Sequence, residues 1–164
     1  MKDLLDKLSS YNIFNYLFPG IIFVVLSEAV TSFSFVQQDI ILGVFLYYFI
    51  GLVISRVGSL LIEPFFKRIK FVKFTAYSEF ISASKTDEKL NLLSEVNNMY
   101  RTFCSLFFFL IFLKAYEFLA EKFQTLDRWG DEILIIGFFV LFCFSYRKQT
   151  QYVTKRIDTE MTNK

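Results

Sequence analysis

Apolar runs alternate with short polar segments along the whole chain. The long apolar runs cover residues 19–36, 40–62, 103–119 and 133–146. A helix needs about 20 apolar residues to cross a hydrocarbon core about 30 Å thick. The second run meets this length, and the last two meet it if flanking residues such as Trp129 and Tyr146 lie at the membrane surfaces. The pattern therefore predicts four transmembrane helices.

The spacing of the four runs predicts two hairpins. Residues 37–39 separate the first two runs, and residues 120–132 join the last two. The predicted fold class is thus an all-α polytopic membrane protein. Its predicted parts are a first transmembrane hairpin (19–62), a cytoplasmic helical pair (63–102), a second hairpin (103–147) and a cytoplasmic tail (148–164).

Residues 1–18 form a mixed segment that does not resemble a cleavable signal peptide. Leu4, Leu8 and Tyr11 follow near-helical spacing opposite charged residues such as Asp6. This segment is predicted to be an amphipathic helix in the membrane interface, and the chain is expected to turn into the membrane at residues 18–20.

The middle segment shows helical periodicity twice. One set repeats at Phe74, Tyr77 and Ile81, and another at Leu92, Val96, Met99 and Phe103. Two amphipathic helices are predicted to meet near residues 84–87, with Ser84 or Thr86 capping the second. The flanking spans are expected to continue into these helices and form a stalk below the membrane.

The distribution of lysine and arginine predicts the orientation. With both termini inside, fourteen of these residues flank the spans on the cytoplasmic side, and only Lys122 and Arg128 lie outside. Cytoplasmic segments carry the excess of Lys and Arg. Both termini and the middle segment are therefore predicted to be cytoplasmic.

Composition excludes several chemistries. Hydrophobic residues make up 54% of the chain and aromatic residues 20%, mean hydropathy is +0.43, and there is no histidine. Histidine-dependent catalysis and imidazole metal ligation are thus excluded. Cys104 and Cys143 stand far apart in apolar runs, and no phosphate-binding glycine motif is present. The protein is not expected to be an enzyme.

Charged residues inside the apolar runs are candidate pore or intramembrane polar sites. Glu28 is predicted near the middle of the first span and nearly level with Lys114 of the third. They are expected to pair or to line a polar seam between protomers. Alternatively, Glu28 is neutral, or a shorter span brings it near the outer surface. Arg56, which shares a helix face with Glu63, is close enough to the cytoplasmic surface to snorkel.

Lys114, Glu117 and Glu121 form one charged stripe at helical spacing in the third run. Such a stripe suits a cation-permeable outer mouth, although Glu121 is high enough to lie among the headgroups. Gly51, Ser55 and Ser59 repeat every four residues. Small residues at this spacing predict a packing seam, either within the hairpin or between subunits.

A basic cluster follows the second run. Its lysines and arginine alternate with aromatic residues, which would allow stacking on a nucleotide or oligonucleotide. The ordinary alternative is attraction to anionic lipid headgroups. The candidate ligand-binding residues are Lys67, Arg68, Lys70, Lys73, Asn97, Tyr100 and Arg101.

The layout resembles the small multi-span membrane effectors of bacterial anti-phage defence systems. The resemblance rests on the segment Asn15-Tyr16-Leu17-Phe18-Pro19-Gly20, the two short hairpins, and the cytoplasmic helical pair that runs to residues 97–102. It implies a homo-oligomer in the inner membrane. It also implies that a nucleotide or oligonucleotide made by a partner enzyme triggers a pore or other membrane disruption.

Four spans are too few to enclose a pathway, so conduction would need several copies around an axis. The function predicted from the sequence is therefore an oligomeric inner-membrane channel or pore-forming effector, gated through its cytoplasmic helices. The alternative is a non-conducting scaffold that docks a cytosolic partner.

Overall fold

The computed structural model describes residues 12–123 and 128–162. This part of the chain forms helices and no strands. We label the helices α1 (Ile13–Val30), α2 (Ile40–Arg68), α3 (Tyr77–Thr86), α4 (Lys89–Lys122) and α5 (Gly130–Thr162). Helix α1 opens with a π-helical turn, Ile13–Leu17, and α2 contains a second one, Gly58–Ile62.

Within the described part of the chain, three helices, α1, α2 and α4, are long and apolar enough to cross a membrane. The predicted all-helical membrane architecture is confirmed to this extent. Helix α4 has 34 residues and is about 51 Å long, which exceeds the hydrocarbon thickness. It therefore joins the predicted third span and the second stalk helix in one continuous rod, as expected. The fourth apolar run lies within α5.

The first span differs from its prediction at both ends. No turn occurs at Phe18, because the helix passes through Pro19 without a break. The Phe18 N–H bonds to the Ile13 carbonyl, five residues earlier, as in a π-helix. Pro19 comes directly after this turn, where its missing N–H removes one backbone hydrogen bond and does not end the helix. The helix ends at Val30 instead of residue 36. Residues 1–11 of the predicted interfacial helix lie outside the described part of the chain.

Helix α2 begins where the apolar run begins and ends before the predicted continuation into α3. The Asp39 carboxylate accepts the Leu42 N–H at 2.9 Å and caps the first turn. At the other end, Lys70 takes a left-handed conformation (φ 60°), and its N–H bonds to the Lys67 carbonyl. Residues 69–76 therefore separate α2 from α3.

The break between α3 and α4 lies at residues 87–88, as predicted. The predicted cap is wrong. Ser84 donates its hydroxyl hydrogen to the Ile81 carbonyl within α3, whereas the Asp87 carboxylate accepts the Lys89 N–H at 2.9 Å. Thr86 is still part of α3, so it does not cap α4. Asp87, the next residue, provides the acceptor for a free N–H group at the start of α4.

The core lies between α1, α2 and α4. Its buried side chains are Phe23, Val24, Ile54, Leu106 and Leu110. Small polar residues join the helices beside them. Ser105 donates to the Ile54 carbonyl at 2.8 Å, and the Thr102 hydroxyl lies 3.3 Å from the Ser55 hydroxyl. Such bonds satisfy polar groups where no water is at hand.

The predicted small-residue seam lies within the chain. An added Cβ at Gly20 would lie 1.8 Å from the Tyr47 carbonyl oxygen, and one at Gly51 would lie 1.7 Å from that of Tyr16. The backbones of α1 and α2 thus touch at two glycines. Further along α2, Gly58 performs the same role against the backbone of α4.

Helix α5 lies along α2 and α3 and has few buried residues. Phe49 of α2 packs against Phe138 and Phe142, with ring centroids 5.8 and 6.1 Å apart. The second half of α5 contacts α3 through Tyr77 and Tyr152, whose ring centroids are 6.0 Å apart. Lys148 of α5 also bonds to Ser59, further along α2 than Phe49, so α5 runs parallel to α2. The predicted tail, 148–164, is helical as far as Thr162.

Candidate functional site

Four charged side chains meet at one end of the helical bundle, and we call them the Glu63 cluster. The Glu63 side chain is only 8% exposed. Its carboxylate accepts Lys67 Nζ at 2.8 Å and Arg101 Nη1 at 2.7 Å, and Lys148 Nζ lies 3.9 Å away. Because Lys67 belongs to α2, Arg101 to α4 and Lys148 to α5, one buried carboxylate joins three helices.

Local structure explains how these side chains converge. Glu63 follows the π-helical turn of α2, and Lys67 lies one helical turn later on the same face. Gly58 has no side chain, so the Arg101 backbone approaches α2 closely. Lys148 donates to both the carbonyl and the hydroxyl oxygen of Ser59, at 2.6 and 2.8 Å. The π-helical turn thus supplies the contact points for α4 and α5.

The charges of the cluster do not balance. Three cations surround one carboxylate. Burial lowers the pKa of Lys148, the Glu63 carboxylate opposes this shift, and repulsion from Arg101 and Lys67 adds to it. In addition, Arg101 Nε is buried and has no acceptor among the residues that the structure describes. The cluster is therefore an electropositive site in which at least one hydrogen-bond donor, Arg101 Nε, has no acceptor among the described residues.

A groove of about 250 Å³ adjoins the cluster between α3 and α5. The Tyr152 ring forms part of its wall, and its centroid lies 5.7 Å from Lys148 Nζ. Burial raises the pKa of Tyr152, so its phenol stays neutral near pH 7. Arg156 lines the same groove. The groove thus lies beside the cluster, next to Lys148, and is lined by two aromatic rings and by residues of α5.

The structure brings two of the predicted ligand-binding residues, Lys67 and Arg101, into the cluster. The other predicted residues lie exposed on the surface: Arg68, Lys70, Lys73, Asn97 and Tyr100. Sequence reasoning did not identify Glu63 and Lys148 as site residues. The four-residue spacing of Glu63 and Lys67 was a usable signal, whereas nothing near Lys148 indicated that it would reach α2.

Arg56 does not reach Glu63, although the two share a helix face. Its Nη2 donates to the Tyr16 hydroxyl of α1 at 3.0 Å. The side chain is half-buried between α1 and α2. Arg56 therefore joins two helices as a hydrogen-bond donor, and its snorkelling to the membrane surface stays a prediction.

The candidate pore residues lie towards the opposite end of the bundle. Because α1 ends at Val30, Glu28 lies in its last turn, is exposed, and accepts the Ser34 hydroxyl hydrogen at 3.2 Å. No hydrogen bond or ion pair joins it to Lys114 within the described residues. Instead, Lys114 pairs with Glu117 at 2.6 Å. Glu28 therefore lies near one end of the candidate span Ile13–Val30, which favours the alternative of a shorter span over a mid-span position.

Glu117 ties α4 to the segment that follows α1. Its second carboxylate oxygen accepts the Ser32 N–H at 2.7 Å. Glu121 is exposed one turn further along α4. Lys114 also borders an apolar groove of about 400 Å³ between α1 and α4, lined by Leu26, Val30, Phe107, Leu110 and Ile111. Charged and apolar surfaces thus adjoin at this end of the molecule.

Comparisons with protein-family models, with curated proteins and with solved structures find no match to this chain.

Proposed function

We propose that this chain is a homo-oligomeric channel or pore-forming effector of the cell inner membrane, gated at its cytoplasmic end by an anionic ligand. The observation that supports this most is the Glu63 cluster. It holds α2, α4 and α5 together at one electropositive point, so an anion bound there would act on three helices at once. A nucleotide or oligonucleotide fits the charge and the neighbouring tyrosines.

The proposed layout has four spans with both termini in the cytoplasm. The packing of Phe138 and Phe142 beside Phe49 supports a fourth span, since it aligns the apolar part of α5 with that of α2. The excess of lysine and arginine in residues 63–102 and 148–164 supports the orientation.

Reporters at the two ends of the chain test this layout. A protease-accessible tag after residue 164 and another before residue 1 are expected to be cleaved from the cytoplasmic side only. A helical chain crosses an even number of times when both ends share a compartment. Tags cleaved from opposite sides would contradict the four-span layout, because three crossings place the ends apart.

Conduction requires several copies of the chain. Lys114 supports such an assembly, because its side chain is 61% exposed beside an otherwise apolar groove. A lysine that faces lipid is costly, whereas one that faces a water-filled pathway between subunits keeps its hydration. Glu28 lies exposed near the same end. We place both side chains along the pathway of the oligomer.

Membrane potential provides the functional test. Controlled expression is expected to depolarise cells, and Lys114→Gln or Glu28→Gln is expected to change the ion flux by about tenfold, since each alters the charge at the pathway once per subunit. The matched control is Lys85→Gln, which removes an exposed cation on α3 that pairs with Glu160.

Flux that is unchanged by the first two variants, or absent even with added nucleotides, would contradict the channel. A non-conducting scaffold would then explain the helical stalk better. The role in anti-phage defence rests on resemblance of layout. It predicts that depolarisation depends on the products of neighbouring genes, so potentials are compared with and without them.

A further inference from the structure

The Glu63 cluster has two more positive than negative charges. Lys67, Arg101 and Lys148 surround the carboxylate with atoms 2.7 to 3.9 Å from its oxygens. One carboxylate neutralises one of these cations. The remaining charges repel one another in a partly buried place, so an added anion would be stabilised there.

The donors of the cluster are suited to a phosphate group in particular. Arg101 uses Nη1 for Glu63, while its buried Nε meets no acceptor in the described part of the chain. Buried donors normally find an acceptor. A guanidinium offers two parallel N–H bonds to the oxygens of a phosphate, and lysines add point charges beside them.

The cluster is accessible to two sources of phosphate. Glu63 directly follows the apolar part of α2. Arg101 lies two residues before Phe103, where the apolar part of α4 begins. Basic pockets between helices at this level bind phospholipid headgroups. The groove beside Tyr152 also opens towards α5 residues exposed to water, including Arg156. The Lys67 side chain is 44% exposed, so a soluble phosphate ester could reach the cluster from the aqueous side.

We infer that the Glu63 cluster is a phosphate-binding site formed by Lys67, Arg101 and Lys148. The phosphate belongs either to an anionic lipid headgroup or to a soluble phosphate ester. The site deepens the proposed function, and it rests on that function only for the step from binding to gating. In that step the phosphate competes with Ser59 of α2 for the Lys148 ammonium group, whose two hydrogen bonds to Ser59 attach α5 to α2. Weakening these two hydrogen bonds would free α5.

Thermal unfolding of the purified full chain in lipid nanodiscs tests the site. One arm compares phosphatidylcholine with a mixture of phosphatidylcholine and phosphatidylglycerol. The other adds inorganic phosphate to phosphatidylcholine nanodiscs, with chloride at equal ionic strength as the reference. A ligand that binds only the folded state raises the midpoint. A rise with phosphatidylglycerol identifies the lipid as the source, and a rise with phosphate identifies the soluble anion.

Variants separate binding from folding. Lys148→Gln is expected to remove most of the midpoint rise, while Lys85→Gln, which removes an exposed cation of α3, keeps it. Glu63→Gln removes the competing carboxylate and is expected to tighten phosphate binding about tenfold. A purely structural role for Glu63 would not produce this gain.

If the midpoint rises in neither arm, or if Lys85→Gln loses as much of the rise as Lys148→Gln does, the phosphate site is overturned. The absence of tighter binding in Glu63→Gln would overturn it as well. No ion flux enters this measurement. Failure of the phosphate site therefore leaves the channel proposal to its own test, and failure of the channel leaves this result intact.

Discussion

Replacing Gly51 with alanine is expected to destabilise the folded chain by about 3 kcal/mol. The new Cβ would lie 1.7 Å from the Tyr16 carbonyl oxygen, which belongs to the backbone of α1. Backbone cannot rotate away as a flexible side chain does, so α1 and α2 must separate. Separation would also weaken the contacts of Phe23 and Val24 with Ile54 in the core.

Unfolding in mixed detergent, followed by circular dichroism, measures this loss. Gly20→Ala provides a second test of the same contact, since its Cβ would lie 1.8 Å from the Tyr47 carbonyl oxygen. Gly137→Ala is the matched control, because nothing lies within 4 Å of its Cβ position on α5. Alanine favours a helix over glycine by about 1 kcal/mol, so this variant should be neutral or stabilising. Equal effects at Gly51 and Gly137 would contradict the close packing of α1 on α2.

Glu63→Gln is expected to destabilise the protein by about 3–5 kcal/mol. The amide keeps the shape of the side chain and removes its charge, which leaves Arg101 and Lys148 partly buried without their counter-ion. An uncompensated buried charge costs far more than the loss of a pair at the surface. The effect should concentrate on the attachment of α5 and α4 to α2.

Glu160→Gln is the matched control for this variant. Its ion pair with Lys85 has the same chemistry, but the two side chains are 41% and 51% exposed. Surface pairs contribute about 0–1 kcal/mol, so the control should lose little. The two variants are compared by unfolding in detergent and by hydrogen exchange of α5. A loss at Glu63 no larger than that at Glu160 would show that the cluster does not hold the helices together.

These two predictions concern different surfaces of α2. The glycine contact with α1 involves no charge, while the Glu63 cluster attaches α4 and α5 by charged groups. Added anions should therefore raise the stability of Glu63→Gln more than that of Gly51→Ala, which keeps the intact cluster and should gain only as much as the unsubstituted chain. This contrast links the stability of the chain to the proposed ligand.

The helical elements were largely predictable from the sequence. The apolar run that begins at Ile40 matches the start of α2, and the periodicity of residues 74–103 correctly placed the break between α3 and α4. Helix ends were less predictable. Val30 ends α1 six residues early, because apolar residues continue into a non-helical segment and hydropathy alone does not mark the change.

The candidate site was only half predictable. Lys67 and Arg101 belonged to the predicted ligand set, yet the carboxylate that joins them and the lysine from α5 did not. Glu63 and Arg101 are 38 residues apart, and Ser59 and Lys148 are 89 apart. Separations of this size have no local periodicity that could reveal them.

The sequence by itself determined that this protein is helical and suited to a membrane, because apolar runs and helical periodicity depend on neighbouring residues along the chain. It also determined where small residues permit close packing. Only the tertiary structure decided that Gly51 meets the backbone at Tyr16 and that three cations share Glu63. The reason is that such contacts depend on how each helix is rotated and shifted against the next, and packing sets these two variables.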